Sequence, residues 1–384
     1  MTGPLDGLKV LDVSRFIAGP VCAMQLGDLG ADVVKVERKE GEETRENFPR
    51  LGDQSIYFLT FNRNKRSIAL DFRDPADQQT LRRLIARADV LIENFRAGTM
   101  EKMGCGWEAL HAMNPRLIMV RISGFGQDGP FSGRACFDAI AQAMSGLMTL
   151  TGQPDGPPTL AGTYVADYGT ALYGLSATLA ALIKRQESGK GQLIEATLLE
   201  SCISMLMTAI PAQAQLGIST SRVGNRDRFV APVNNFQASD GSWVYVQGGT
   251  DPLFPRLVAA MEMPELLEDP RFSTFYRRFE NADAIEAIVA AWVRERTAEA
   301  VVESMDRAGV PCAKVATMAD VIANPQLRAR GQLVDIPHPS AGTYTTHGVS
   351  IRLSDTPASV RLPPPRLDEH RAEILREWLG EEAS

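Results

Sequence analysis

The chain has 384 residues, 44% hydrophobic and 23% charged, with a formal net charge of −7. That length fits two domains of a soluble globular protein, and the acidic balance excludes a duplex-binding protein, which needs a surplus of cations to meet phosphates. Five scattered cysteines (Cys22, Cys105, Cys136, Cys202, Cys312) form no Cys-x-x-Cys pair and the four histidines have no metal-ligand spacing; the expectation is reduced thiols, no metal and a cytoplasmic location.

The first residues lack the basic and apolar regions of a signal peptide. Leu8–Val13 reads as a buried strand, followed by the loop Ser14–Gly19 and a helix from Pro20 to about Gly30. Asp32–Glu37 is the next strand, so the chain opens with a β-α-β unit of a doubly wound sheet. Ser67–Phe72 reads as a strand, Asp74-Pro75 starts a helix to Ala88, and Asp89–Glu93 and Leu117–Ile122 are strands with two short helices between them. Asp138–Leu150 reads as helical. A long helix, Tyr168 to about Gln186, ends at Ser188-Gly-Lys-Gly191. Its apolar stretch, Ala171–Ile183, is too short to span a bilayer. A strand at Gln192–Ala196 and a helix from Thr197 to about Ile210 follow.

The pattern changes after Gly217. Asn235–Ala238 and Trp243–Gln247 form a hairpin around Asp240-Gly241. Helices are expected at Pro252–Met261, Ala282–Arg296 and Ala298–Ala308, and a strand at Pro311–Val315. The tail from Leu333 returns to strand-like, Pro-rich pieces and a last helix, Glu369–Leu379. This predicts an α/β protein that opens with a doubly wound sheet and carries a smaller α+β domain at 217–332.

Asp167 is the most informative residue. At the mouth of the long helix it reads as an N-cap, and a carboxylate facing free backbone N–H groups and the helix dipole is expected to stay ionised. The first loop, Ser14-Arg-Phe-Ile-Ala-Gly19, has one glycine where a dinucleotide fingerprint needs three, which disfavours a nicotinamide enzyme. Two cationic clusters, Arg38-Lys39 and Asn62-Arg63-Asn64-Lys65-Arg66, with Arg73 beyond the next strand, suggest a ligand with several phosphates, such as coenzyme A or a nucleotide; solvated surface charge is the plainer alternative.

An ordered set of segments then carries a resemblance: Gly7–Val13, Ala18-Gly-Pro20, Leu29–Glu37, Asn64–Ser67, Asp89–Phe95, Ser123-Gly-Phe-Gly126, Phe137-Asp138 with Gln142–Gly146, Asp167, Ser188–Gln192, Asp269–Phe272 and Gly309–Cys312. Together they resemble the class III coenzyme A transferases, a family that includes formyl-CoA transferase, crotonobetainyl-CoA:carnitine CoA-transferase and α-methylacyl-CoA racemase. The resemblance implies a Rossmann-like large domain built from both ends of the chain, residues 1–216 and 333–384, a small middle domain at 217–332 and an interlocked homodimer. It implies acyl-CoA and a small carboxylic acid as ligands, with no permanently bound cofactor.

By the same resemblance Asp167 is the nucleophile, passing through an aspartyl anhydride and an aspartyl-CoA thioester. Phe16, Ile17 and Ala18 align with the loop touching adenine and thioester. Arg38, Arg73, Asn94, Phe95, Lys102 and Met103 are CoA contacts, and Gly248-Gly249 is a candidate oxyanion or gating loop. Asp138 is an auxiliary group that orients the acyl chain or relays a proton, with a helix cap as its plainer reading. Relatives that racemise use a His-Asp pair where this chain has Phe137-Asp138, and phenylalanine moves no proton, so a racemase is disfavoured. A non-catalytic CoA-binding protein is the remaining alternative. Asp368 stands where relatives carry glycine, which puts the local backbone geometry in question.

Overall fold

A computed structural model describes residues 3–381. The chain divides into two compact units, the first comprising residues up to 147, 160–210 and from 325 onward, the second 148–159 and 211–324.

The first unit is built on six parallel strands: β1 (Lys9–Asp12), β2 (Asp32–Glu37), β3 (Lys65–Ala69), β4 (Val90–Glu93), β5 (Ile118–Ser123) and β6 (Leu193–Thr197). Their order is β3-β2-β1-β4-β5-β6, with Val10 opposite both Val33 and Val90. This is the doubly wound arrangement, in which the direction of strand addition reverses between β1 and β4 and opens a crevice at the carboxyl ends of the strands. Strands buried on both faces read as unbroken apolar runs. Val10, Val33, Val90 and Val120 pack on one face with helices α1 (Ala18–Asp28) and α4 (Val165–Ser188). Leu11, Val34 and Leu91 pack on the other with α2 (Pro75–Arg87) and the C-terminal helix Arg371–Leu379. Helices α3 (Asp138–Ser145) and α5 (Leu198–Ser204) lie beyond β5 and β6 in the chain.

Several expected boundaries shift. Strand β3 begins at Lys65, so Lys65 and Arg66 lie in the sheet instead of preceding it. The helix expected over 138–150 breaks at Gly146, whose φ of 89° only glycine adopts readily, and Leu147–Leu150 forms a separate turn of helix. Helix α4 starts at Val165, which moves Asp167 from the cap into the first turn. The segment expected as one helix over 197–210 is two, Leu198–Ser204 and Ala209–Leu216. Residues 148–159, read with the large part, belong to the second unit. Asp368 adopts the left-handed conformation that relatives' glycine would favour, at φ 59°. Asp tolerates that region, and here its carboxylate accepts from the Ala69 amide at 2.7 Å and pairs with Arg371 Nε at 2.9 Å.

The second unit packs a three-stranded sheet, with Trp243–Gln247 between Val233–Gln237 and Cys312–Lys314, against helices 254–261, 282–294 and 298–308. The Asp240-Gly241 turn and the helix Ala298–Ala308 fall where expected. Among the described residues no helix is long and apolar enough to cross a membrane.

Candidate functional site

Two adjoining cavities open at the carboxyl ends of the parallel strands. The first, about 520 Å³, is lined by Phe16, Ile17, Ala18, Asn94, Asp138 and Asp167, among others. The second, about 270 Å³, is lined by residues that follow β1 and β2, including Ser14 and Arg38, together with Phe95 and Met103. Arg15 and Phe95 line both and join them. Arg73 and Lys102 are exposed and line neither. A larger cavity, about 650 Å³, is walled by residues between 330 and 363; its lining is mostly Val, Ile, Leu and Pro and shares no residue with the other two. Carboxylates, cations and a helix N-terminus converge at the strand-end cavities, which makes them the candidate site.

The loop after β1 is held by the loop after β4. Asn94 accepts from the Arg15 amide at 2.8 Å through Oδ1 and donates to the Arg15 carbonyl at 2.6 Å through Nδ2. Asn94 therefore lines the cavity while spending its amide on positioning Arg15. Phe16, next in the loop, sits at φ 68°, a conformation that costs a non-glycine residue roughly 1–3 kcal/mol and persists where surroundings enforce it. Its ring meets Phe137 edge-on at 5.5 Å. Ile17 and Ala18 are buried, so they shape the wall through their backbone. Ile17 caps α1 without a side-chain hydrogen bond and the first turn holds no acid, leaving amides at this N-terminus for an anion.

Asp167 is partly buried in the first turn of α4. The cap of that helix comes from elsewhere. Asp138 Oδ2 accepts from the Ala166 amide at 2.8 Å and the Asp167 amide at 3.2 Å. Gln142, one turn on, donates to Asp138 Oδ1 at 2.5 Å and accepts from the Ala161 amide at 3.1 Å, fixing α3 to the approach of α4. Asp167 itself is freed from capping. Burial pushes its carboxyl up to about 7, and the adjacent Asp138 charge adds to the rise. The expectation that the helix terminus simply keeps Asp167 ionised is corrected: desolvation and a like charge outweigh the dipole. Cys136 lines the same cavity with its thiol pushed up to about 11, chiefly by burial, which makes it a poor nucleophile. Among the described residues no histidine lines either cavity.

The cationic cluster at 62–66 is a correction of a different kind. Arg63, Asn64, Lys65 and Arg66 are buried. Arg63 grips Asp28 with two hydrogen bonds at 3.0 and 2.8 Å. Lys65 donates to Asp12 at 2.8 Å, and Arg66 pairs with Asp32 at 2.6 Å, Glu373 at 2.7 Å and Glu377 at 2.8 Å. These cations stitch the sheet to its neighbours and have no face left for phosphate. Arg38 does face the groove, beside Glu43 at 3.6 Å, while Lys39 pairs with Asp77 at 3.4 Å.

Gly248 and Gly249 belong to the second unit. A Cβ on Gly248 would lie 2.4 Å from Leu257 Cδ2, and one on Gly249 2.7 Å from the Ala231 carbonyl carbon, so packing inside that unit already requires both. The Gly248 amide donates to the Pro232 carbonyl at 3.1 Å. Of the two expected donors, it is therefore committed.

Sequence reasoning missed Arg15, Tyr57, Arg134 and Tyr164 in the cavity wall. Arg15 stands in the loop already singled out and could have been found there; the others have no local signal.

The sequence pattern of CoA-transferase family III matches residues 5–371. Succinyl-CoA–D-citramalate CoA-transferase of Chloroflexus aurantiacus is 39% identical over 98% of this chain and 94% of its own length. Human succinyl-CoA:glutarate CoA-transferase is 36% identical over 98% of this chain and 86% of its own. The crystal structure of a CaiB/BaiF family protein from Brucella suis superposes with a TM-score of 0.89 at 38% identity, over 98% of this chain and 100% of that one.

Proposed function

We infer that this chain, which belongs to CoA-transferase family III, moves coenzyme A from an acyl-CoA to a free carboxylic acid with Asp167 as the nucleophile. The observation that carries the reading is Asp167 itself, a partly buried carboxylate pushed up to about 7 in the wall of a strand-end cavity.

In the proposed sequence, a carboxylate oxygen of Asp167 attacks the thioester carbonyl, the C–S bond breaks, and a mixed anhydride and CoA thiolate result. The thiolate attacks the aspartyl carbonyl of the anhydride, forming an aspartyl-CoA thioester and releasing the first acid. The acceptor carboxylate attacks that thioester to give a second anhydride. The returning thiolate takes the acceptor's acyl group and regenerates Asp167.

The raised proton affinity supports this role. With an ordinary carboxyl near 3.9 and a thiol near 8.5, the tetrahedral adduct expels carboxylate over thiolate by roughly 6 kcal/mol. At about 7 for Asp167 the difference falls to about 2 kcal/mol. The amides at the N-terminus of α1, beside Ile17 and Ala18 in the same wall, supply donors for an oxyanion or thiolate. The second cavity, with Arg38, Phe95 and Met103, is the proposed berth for the nucleotide end of CoA. The relatives named for citramalate and glutarate put short dicarboxylic acids among the first acceptors to assay.

The test is chemical. Incubation with acyl-CoA and hydroxylamine should leave a hydroxamate on Asp167, read by mass spectrometry. Asp167→Ala should abolish both adduct and transfer. Full transfer by that variant would sink the assignment.

A further inference from the structure

The Asp167 cavity holds three arginines, and they differ in what satisfies them. Arg15 reaches Glu43 at 3.0 Å. Arg96 adjoins Phe95, the residue that lines both cavities. Arg134 is held in a different way. Its guanidinium carbon lies 4.9 Å from the Phe131 ring centre and 5.9 Å from that of Phe125, and those two rings pack edge-to-face at 5.9 Å. The aromatic pair places the guanidinium without using its N–H groups. Among the described residues no carboxylate pairs with Arg134 and no acceptor meets its side chain, so its five donors stay open.

We propose that Arg134 reads the second carboxylate of a dicarboxylic substrate, so that the acid handled at this site carries one carboxylate to react at Asp167 and another to be held. This rests on the CoA-transfer reading above and adds the substrate class and the residue that selects it. An arginine stacked on aromatic faces presents its edge, and that edge matches a carboxylate in bidentate geometry. Arg134 is itself exposed, so a plain alkyl acid leaves its guanidinium to water and gains nothing from it, whereas a second carboxylate gains a charge-assisted pair. Glu43, the other charged acid among the lining residues besides Asp138 and Asp167, is already engaged by Arg15 and Arg38, so it does not compete for Arg134.

The test compares succinate with butyrate, acids of equal chain length, as CoA acceptors for the intact protein, using acetyl-CoA as donor. The wild type should favour succinate. In Arg134→Gln the kcat/KM ratio of succinate to butyrate should fall about ten- to a hundredfold, the loss expected for a hydrogen-bonded charge, carried by KM for the acid. Arg134→Lys should restore part of it. Equal loss with both acids, a change confined to KM for acyl-CoA (which would make Arg134 a phosphate contact), or a wild-type preference for butyrate would each overturn the inference. Absence of transfer to either acid by the wild type, with no Asp167 hydroxamate, would instead overturn the activity reading and this inference with it.

Discussion

Replacing Asp167 by asparagine should make the folded protein more stable at neutral and alkaline pH, although it removes the nucleophile. The folded carboxyl sits at about 7 against an ordinary 3.8. Between those values the folded protein keeps a proton that the unfolded chain has lost. Stability therefore falls as pH rises through that window, and the loss is complete above about 7. At about 1.4 kcal/mol for each tenfold change in proton affinity, the ceiling is about 4 kcal/mol. Asparagine has no proton to lose, so its advantage should be near zero at pH 4 and approach that ceiling by pH 8. For a unit of this size the gain corresponds to roughly 2 °C in Tm per kcal/mol, or up to about 8 °C. Scanning calorimetry of wild type and Asp167→Asn from pH 4 to pH 8 measures it. Glu93, also pushed up to about 7 by burial, titrates in both proteins and cancels in the difference. A gain that does not change with pH, or a variant less stable than wild type at pH 8, would refute the reasoning.

Asp138→Asn should keep an acceptor for the α4 amides while removing the charge beside Asp167; the acid limb of the kcat/KM profile should then move to lower pH, which pH–rate measurements detect. Asp138→Ala should in addition lose the cap, at about 1 kcal/mol of stability by denaturant titration. Arg38→Ala should raise KM for acyl-CoA about tenfold, whereas Arg73→Ala and Lys102→Ala, whose side chains line neither cavity, should change it little. Lys65→Met should leave Asp12 buried with only the more distant Lys35, 4.0 Å away, as its cation, at a cost of about 3 kcal/mol, lowering Tm without altering KM for acyl-CoA in material that remains folded.

The scaffold was legible because its physics is local. Apolar runs such as Val90–Ile92 mark strands covered on both faces, and Asp32–Glu37 falls at the expected limits. Asp74 before Pro75 announces a helix, and Asp74 indeed accepts from the Ala76 amide. What could not be read depends on partners far along the chain. Arg63-Asn64-Lys65-Arg66 has the composition of a solvated or phosphate-binding cluster, and only the folded positions of Asp28, Asp12, Asp32, Glu373 and Glu377 turn it inward. Asp167 looked like a cap because the group that caps α4 lies 28 residues before Ala166. Phe16, Ile17, Ala18, Asn94, Phe95, Asp138 and Asp167 do meet in one cavity. The long-range clamp of Asn94 on Arg15 left no trace at either position.

The cap supplied by Asp138 links stability to the chemistry proposed for Asp167. A carboxylate that capped its own helix would gain hydrogen bonds in its ionised form, and its proton affinity would fall. It would then attack a thioester weakly and leave the adduct far more readily than thiolate. Handing the cap to Asp138 takes those bonds away from Asp167 and sets a second charge against it, both of which raise its proton affinity. The same free energy that destabilises the folded protein above neutrality narrows the gap between carboxylate and thiolate as leaving groups. The pH-dependent part of the stabilisation by Asp167→Asn and the pH profile of transfer by the wild type are thus two readings of one proton affinity. A substitution that removes the neighbouring charge, such as Asp138→Ala, should lower the proton affinity of Asp167 and slow thioester cleavage together. If cleavage slowed while the pH profile stayed fixed, the coupling argued from this geometry would be wrong.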